Sequence, residues 1–218
     1  MNDGGEAEEA TTAARIEARD ADLIGRPSRI PPLTPSNMPE EARAEVAEFL
    51  KNVRGLGGNP VPEGDVPPMI GTMLRHPGLW RQHTAMAEEL FHRGALSPRD
   101  RELAVLRLAW LCKASVEWGE HVSIGKRAGI DAEEIQRITQ GSTAPEWSAH
   151  DRAVLRAVEE LREDAMISDE TWAMLARTYT DRQLIELPVL VGQYTTVAYY
   201  QNALRLPPRP GNGGLTSR

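Results

Sequence analysis

A single cysteine, Cys112, stands in the 218 residues of this chain. One thiol cannot close an intrachain disulfide or build a cysteine-based zinc site, so both organisations are excluded. Aromatic residues are also scarce, at 5% with only two phenylalanines, which leaves the core to aliphatic side chains. Positive charge is not in excess: 25 Lys and Arg face 32 Asp and Glu, a formal net charge of −7. That removes the basic footprint expected of a nucleic-acid binder. No run approaches the roughly 18 apolar residues of a membrane span. The acidic N-terminus, MNDGGEAEEATTAARIEARDADL, has no apolar stretch of the kind a secretory signal needs. A cytoplasmic protein with neither nucleic-acid nor membrane partners is therefore expected. No segment alternates polar and apolar long enough to be a strand.

What remains is helical. The length suits one substantial core. Residues 1–36 read as an extended or partly disordered arm, broken by Pro27, Pro31, Pro32 and Pro35. Residues 37–206 read as the folded domain and 207–218, rich in Pro and Gly, as a disordered tail. Ser36 or Asn37 is placed to cap a helix from Pro39, with Ala42, Val46, Phe49 and Leu50 at helical spacing. The glycines of 55–68 lie too close to prolines and too far from a strand to cradle a phosphate. Short and long helices follow over 67–75 and 77–93, the second stopped by Gly94. Ser97, Pro98 and Asp100 make a helix start, and from Leu103 to Cys112 only Arg107 is not apolar. A helix apolar on all sides is buried. Further helices run from Ser115 to Gly129, from Asp131 to Gly141, from Ser148, from Ser168, and from Thr180 to Leu204, the last with a kink expected at Pro188. About eight short-linked helices define an all-α bundle.

Three polar residues stand out in the apolar stretch 97–129: Glu102, Glu117 and His121. Glu117 and His121 are four apart and share a helix face with Ala114. If the two helices form an antiparallel hairpin, Glu102 comes opposite His121. A carboxylate beside an imidazole raises its pKa and fixes its tautomer, which makes an acid/base pair. The plainer alternative is an ordinary Glu–His contact on a solvated face. Arg107 has two readings, a clamp for a substrate carboxylate or a partner for a buried Glu such as Glu117. Trp110 and Trp118 flank the segment as candidate walls of a pocket, and Gln193 and Tyr194 on the last helix as candidate binding residues. His76, His83, His92 and His150 show no metal-ligand spacing, so no metal is expected.

The matching residues Arg101-Glu102-Leu103, Leu106-Arg107-Leu108-Ala109, Glu117-Trp118-Gly119-x-His121 and Ala128-Gly129 resemble the carboxymuconolactone decarboxylase / alkylhydroperoxidase D-like family. The resemblance extends over roughly residues 40–206. Redox members of that family carry a Glu and then Cys-x-x-Cys-x-x-x-His. By that resemblance Glu102 and His121 match the Glu and His, while Ala114 and Glu117 stand at the two cysteine positions. A dithiol peroxidase needs one thiolate to attack and another to resolve. The resemblance therefore implies the decarboxylase branch: a cofactor-independent lyase or isomerase working on a small carboxylated, lactone-like substrate. His121, Glu102 and Glu117 would be catalytic, and Arg107, Trp118, Trp110, Tyr194 and Gln193 would bind substrate. The alternatives are a peroxidase acting through Cys112 and a non-catalytic ligand-binding oligomer. Family likeness also implies a homo-oligomer (dimer, trimer or hexamer), with the helices around 98–129 and 180–204 as candidate interface.

Overall fold

A computed structural model describes residues 14, 16, 18–23, 25–53 and 66–218, without the side chains of 49–53. The described residues form an all-helical structure with no strand. In chain order the helices are α1 (Glu40–Val53), α2 (Pro68–Met73), α3 (Pro77–Glu88), α4 (Pro98–Leu111), α5 (Ser115–Arg127), α6 (Ala132–Gln140), α7 (Ala149–Asp164), α8 (Asp169–Leu175) and α9 (Asp181–Leu204). Eight of them have seven residues or more. The helix starts follow from side-chain chemistry. Ser97, Asp131, Ser148 and Ser168 each accept a backbone N–H of the first turn of the helix they open. Asp131 and Glu134 complete a reciprocal capping box. Asn37 does not open α1; its Oδ1 accepts the N–H of Thr34 at 2.7 Å and closes a turn instead.

α3 ends in one π-helical turn, Glu89–Arg93, before Gly94. A side chain on Gly94 would collide with the Glu186 carboxylate, which accepts the N–H groups of Ala95 and Leu96. That carboxylate ties the start of α9 to the approach of α4. α9 runs unbroken through Pro188.

α4 is the central post. Residues 100–109 are all buried, and the helix packs against α5, α6, α7 and α9. α4 and α5 are joined by a short turn in which Lys113 takes φ 49°. Gly125 of α5 lets the two helices approach: a Cβ there would lie 3.1 Å from Leu106 and 3.9 Å from the Glu102 Cβ. The main core is aliphatic, centred on Leu103, Leu106, Leu108, Val154, Leu155 and Leu187. A second, smaller core joins Met38, Ala42 and Val46 to Ile70, Leu74 and Trp80, so α1 and α2 form a side layer held by α3.

Both ends depart from the reading of their composition. The extended or partly disordered arm expected over 1–36 lies partly outside the described residues. Where described, the arm is held: Leu23 is buried, Ile16 packs on the main core, and the Leu33 N–H donates to the Gly71 carbonyl at 2.9 Å. The loop reading for 55–68 also falls largely outside the described residues. The tail 207–218 is not free but lies along α5. The Asn212 amide donates to the Val116 carbonyl, Leu215 is buried, and Trp118 Nε1 donates to the Ser217 carbonyl. Composition misleads here because a few specific polar contacts, not a hydrophobic stripe, fasten the segment. Among the described residues no helix is long and apolar enough to cross a membrane.

Candidate acid–base site

The α4–α5 hairpin brings the first turn of α4 against the middle of α5. Glu102, fully enclosed, accepts from two cations. Arg101 Nε donates to its Oε1 at 2.9 Å, and His121 Nδ1 meets its Oε2 at 2.6 Å. The other ring nitrogen, His121 Nε2, lies 3.0 Å from Glu117 Oε1. The imidazole is thus gripped at both ends by carboxylates. Arg101 is fixed from behind by the π turn: its guanidinium stacks 3.9 Å from the Phe91 ring centroid and donates to the Phe91 carbonyl. Two buried cations and two buried anions form a closed, balanced array, the condition under which burial of charge is tolerated.

The electrostatics follow. Burial alone would push the His121 pKa down. The charges of Glu102 and then Glu117 more than reverse this, and it is pushed up to about 10. Burial likewise works to raise the Glu102 carboxyl, but His121 and Arg101 hold it below the usual carboxylate range. His121 is therefore an imidazolium with both N–H groups donated. Of the two carboxylates that hold it, Glu117 is the outer one, its side chain 8% exposed against 0% for Glu102. Glu117 Oε2 in turn accepts from Gln201 Nε2 at 2.6 Å. Tyr194 stands edge-on to the His121 ring, centroids 5.1 Å apart at 89°. Burial and the two carboxylates push its phenol well above the ordinary range.

The structure brings Glu102, Glu117, His121 and Tyr194 together, while Gln193 is bonded to His83. The Gln193 amide donates to His83 Nδ1 at 3.1 Å and to the His83 carbonyl at 3.2 Å. Three residues expected to bind substrate are engaged elsewhere. Arg107 donates to Glu159 at 2.8 Å and to the carbonyls of Ile138 and Thr139. It thus meets neither Glu117 nor an open carboxylate position, since α7 and the end of α6 supply its acceptors. Trp110 and Trp118 pack on each other at 5.1 Å, and Arg218 lies 5.5 Å over both rings. They cradle the C-terminal segment and do not wall the acid–base array.

Sequence reasoning passed over His83, Tyr200, Gln201, Arg101 and Met69. His83 is half-buried on α3 and its Nε2 lies 3.3 Å from the Tyr200 hydroxyl. Burial lowers its pKa, opposed in part by the Glu117 charge, so this second imidazole is neutral. No spacing signal could bring His83 and Met69 to Tyr200 and Gln201, because those pairs are more than a hundred residues apart in sequence. Cys112 is buried, and burial raises its thiol against the opposing effect of Arg162. A second polar cluster joins Asp100, His150 and Asp151, whose ligand atoms lie within 4.8 Å of one another. Arg99 already supplies a cation there, 3.0 Å from Asp151, and His150 Nε2 lies 3.2 Å from Asp100.

With that geometry in place, residues 77–160 match the model of the carboxymuconolactone decarboxylase family. The fold as a whole is similar to solved structures. One is the alkylhydroperoxidase AhpD core of a peroxidase-related protein from Ralstonia eutropha: 16% identity, TM-score 0.68, 85% of this chain and 95% of that one covered. Another is a peroxidase-related protein from Silicibacter: 17% identity, TM-score 0.67, 86% and 97% covered. A third is the debrominase Bmp8: 16% identity, TM-score 0.63, 84% and 94% covered. At such identities the likeness is one of fold. No curated protein sequence matches the chain.

Proposed function

We propose, from the membership of this chain in the carboxymuconolactone decarboxylase family over residues 77–160, that it is a lyase or isomerase moving a proton at carbon in a small carboxylated, lactone-like substrate. The observation that carries this reading is the buried relay Glu102–His121–Glu117, with both imidazole nitrogens on carboxylates. In a decarboxylation the bond from carbon to the departing carboxylate breaks, and its electron pair enters the adjacent carbonyl as an enolate. Carbon dioxide leaves. His121 passes its Nε2 proton to Glu117, Glu117 passes a proton to the carbon, and the carbonyl re-forms. One proton is consumed per carbon dioxide released, and the neutral imidazole regains it from solvent. Glu102 and Arg101 touch no substrate; they hold His121 charged and oriented. Side chains alone suffice for this sequence of events, as general acid–base chemistry requires only placed proton donors and acceptors.

The test is to screen the protein against carboxylated lactones and β-keto acids for released carbon dioxide. His121→Gln then lowers turnover by about 10²–10⁴-fold, the usual contribution of a general acid–base group. Unchanged turnover in that variant ends the proposal. The names of two structural neighbours favour a peroxidase reading instead. It would need a thiolate, and the only thiol is the buried Cys112, whose pKa is raised. A Cys112→Ser protein with undiminished peroxide turnover would remove it.

The protein is further proposed to work as a homo-oligomer. α4 is enclosed within the subunit and has no face to offer a partner. α9 does: Ile185, Val189 and Tyr199 are exposed along one side at helical spacing.

A further inference from the structure

Beside Glu117 two hydrogen-bond donors converge on one weak acceptor. The Tyr200 hydroxyl lies 3.8 Å from Met69 Sδ, and Gln201 Nε2 lies 3.7 Å from the same sulfur. A thioether accepts hydrogen bonds poorly, so two polar groups aimed at it are underused. Their orientation is fixed from behind. Because the Gln193 amide donates to both His83 Nδ1 and the His83 carbonyl, its nitrogen end faces the ring and Nδ1 is the acceptor. The neutral His83 then carries its proton on Nε2 and donates it to the Tyr200 oxygen. That leaves the Tyr200 O–H free to point outward as a donor. Gln201 is set the same way: one amide N–H is committed to Glu117 Oε2 at 2.6 Å, which leaves the second to face Met69. Its Oε1, in a residue only 3% exposed, has no partner.

Resting on the reaction proposed above, the geometry points to a subsite in which Tyr200 O–H and Gln201 N–H bind the carbonyl oxygen of the substrate, with the Met69 sulfur holding that position until the substrate displaces it. The ligand class is a small neutral or carboxylated lactone or ketone whose carbonyl oxygen gains charge as the neighbouring carbon exchanges its proton with Glu117. Two preorganised donors at the site of developing charge are what such a transition state needs. Gln201 is bonded to Glu117 and shares the Met69 sulfur with Tyr200, so oxygen and carbon of one carbonyl unit can be served together. Met69 arrives from the small side core of α1 and α2, which gives that layer a direct hand in substrate entry.

The test is binding of γ-butyrolactone carrying 13C at its carbonyl, followed by NMR on the full chain. Downfield movement of the carbonyl resonance on binding is expected, because donated hydrogen bonds deshield that carbon. Tyr200→Phe and Gln201→Met each weaken binding by about 3–10-fold, the value of one net hydrogen bond, and reduce the shift. Met69→Ala tightens binding. Two donor variants guard against one failing to fold, and equal thermal midpoints mark them as folded. Absence of lactone binding, or binding with the same affinity and shift in both donor variants, overturns the subsite. Carbon dioxide release measured in parallel separates the two proposals. Turnover that needs His121 but neither Tyr200 nor Gln201 sinks the subsite alone. Donor-dependent lactone binding without turnover of any carboxylated lactone sinks the reaction and leaves the subsite standing.

Discussion

His121 is a cation because its neighbours leave it little choice. Its ordinary pKa of 6.5 is pushed up to about 10, so the charged form is favoured in the folded protein. The associated stability is fully present below pH 6.5 and is lost as pH rises through about 10. Denaturant midpoints measured across that interval fall with pH in the native protein and flatten in His121→Gln. In 15N NMR the ring nitrogens keep imidazolium shifts at neutral pH; a neutral ring would contradict the clamp. Glu102 carries the opposite obligation, since its removal takes from Arg101 its carboxylate partner and leaves His121 held by Glu117 alone. Glu102→Ala is therefore expected to cost about 3–5 kcal/mol, read by equilibrium unfolding. Glu117 bears on chemistry more than on stability: it is the outer carboxylate and keeps a second partner in Gln201.

At the level of elements, α5 is shared between two tasks. Its inner face carries Glu117 and His121, while Gly119 receives the C-terminal segment. A Cβ on Gly119 would lie 1.8 Å from Asn212 Oδ1, a contact that cannot persist. Gly119→Ala should expel Asn212 and cost about 1–3 kcal/mol. Amide exchange of residues 212–217 would rise while α4 stays protected. α7 ends at Ala165 in the left-handed region, φ 57°. Glycine takes that conformation freely, so Ala165→Gly is expected to stabilise by about 0.5–1 kcal/mol in the same unfolding assay. The π turn before Gly94 shows how a local irregularity reaches the site: it presents the Phe91 ring and carbonyl to Arg101, which holds Glu102.

For the whole molecule, the exposed side of α9 is the feature that asks for a partner. Ile185 is 68% exposed, Tyr199 56% and Val189 41%. On the proposed homo-oligomer, Ile185→Asp shifts the light-scattering mass towards the monomer; an unchanged mass places the interface elsewhere. Tyr194 and Gln201 lie on the face of α9 opposite Ile185, so loss of assembly and loss of activity need not coincide.

Much of this was legible in one dimension. Helix starts at Ser97, Asp131, Ser148 and Ser168 are local chemistry, each a side chain reaching its own first turn. An apolar run from Leu103 to Cys112 announces a buried post, and a Glu–His pair four apart shares a face wherever the helix lies. Partnership across the chain is another matter. Arg107 took Glu159 and not Glu117, the tryptophans took the C-terminal segment, and His83, Tyr200 and Gln201 met beside Glu117. Those choices depend on which helices pack together, a property of burying one common core. Periodicity reveals which face of a helix turns inward; only the packed bundle decides what that face meets.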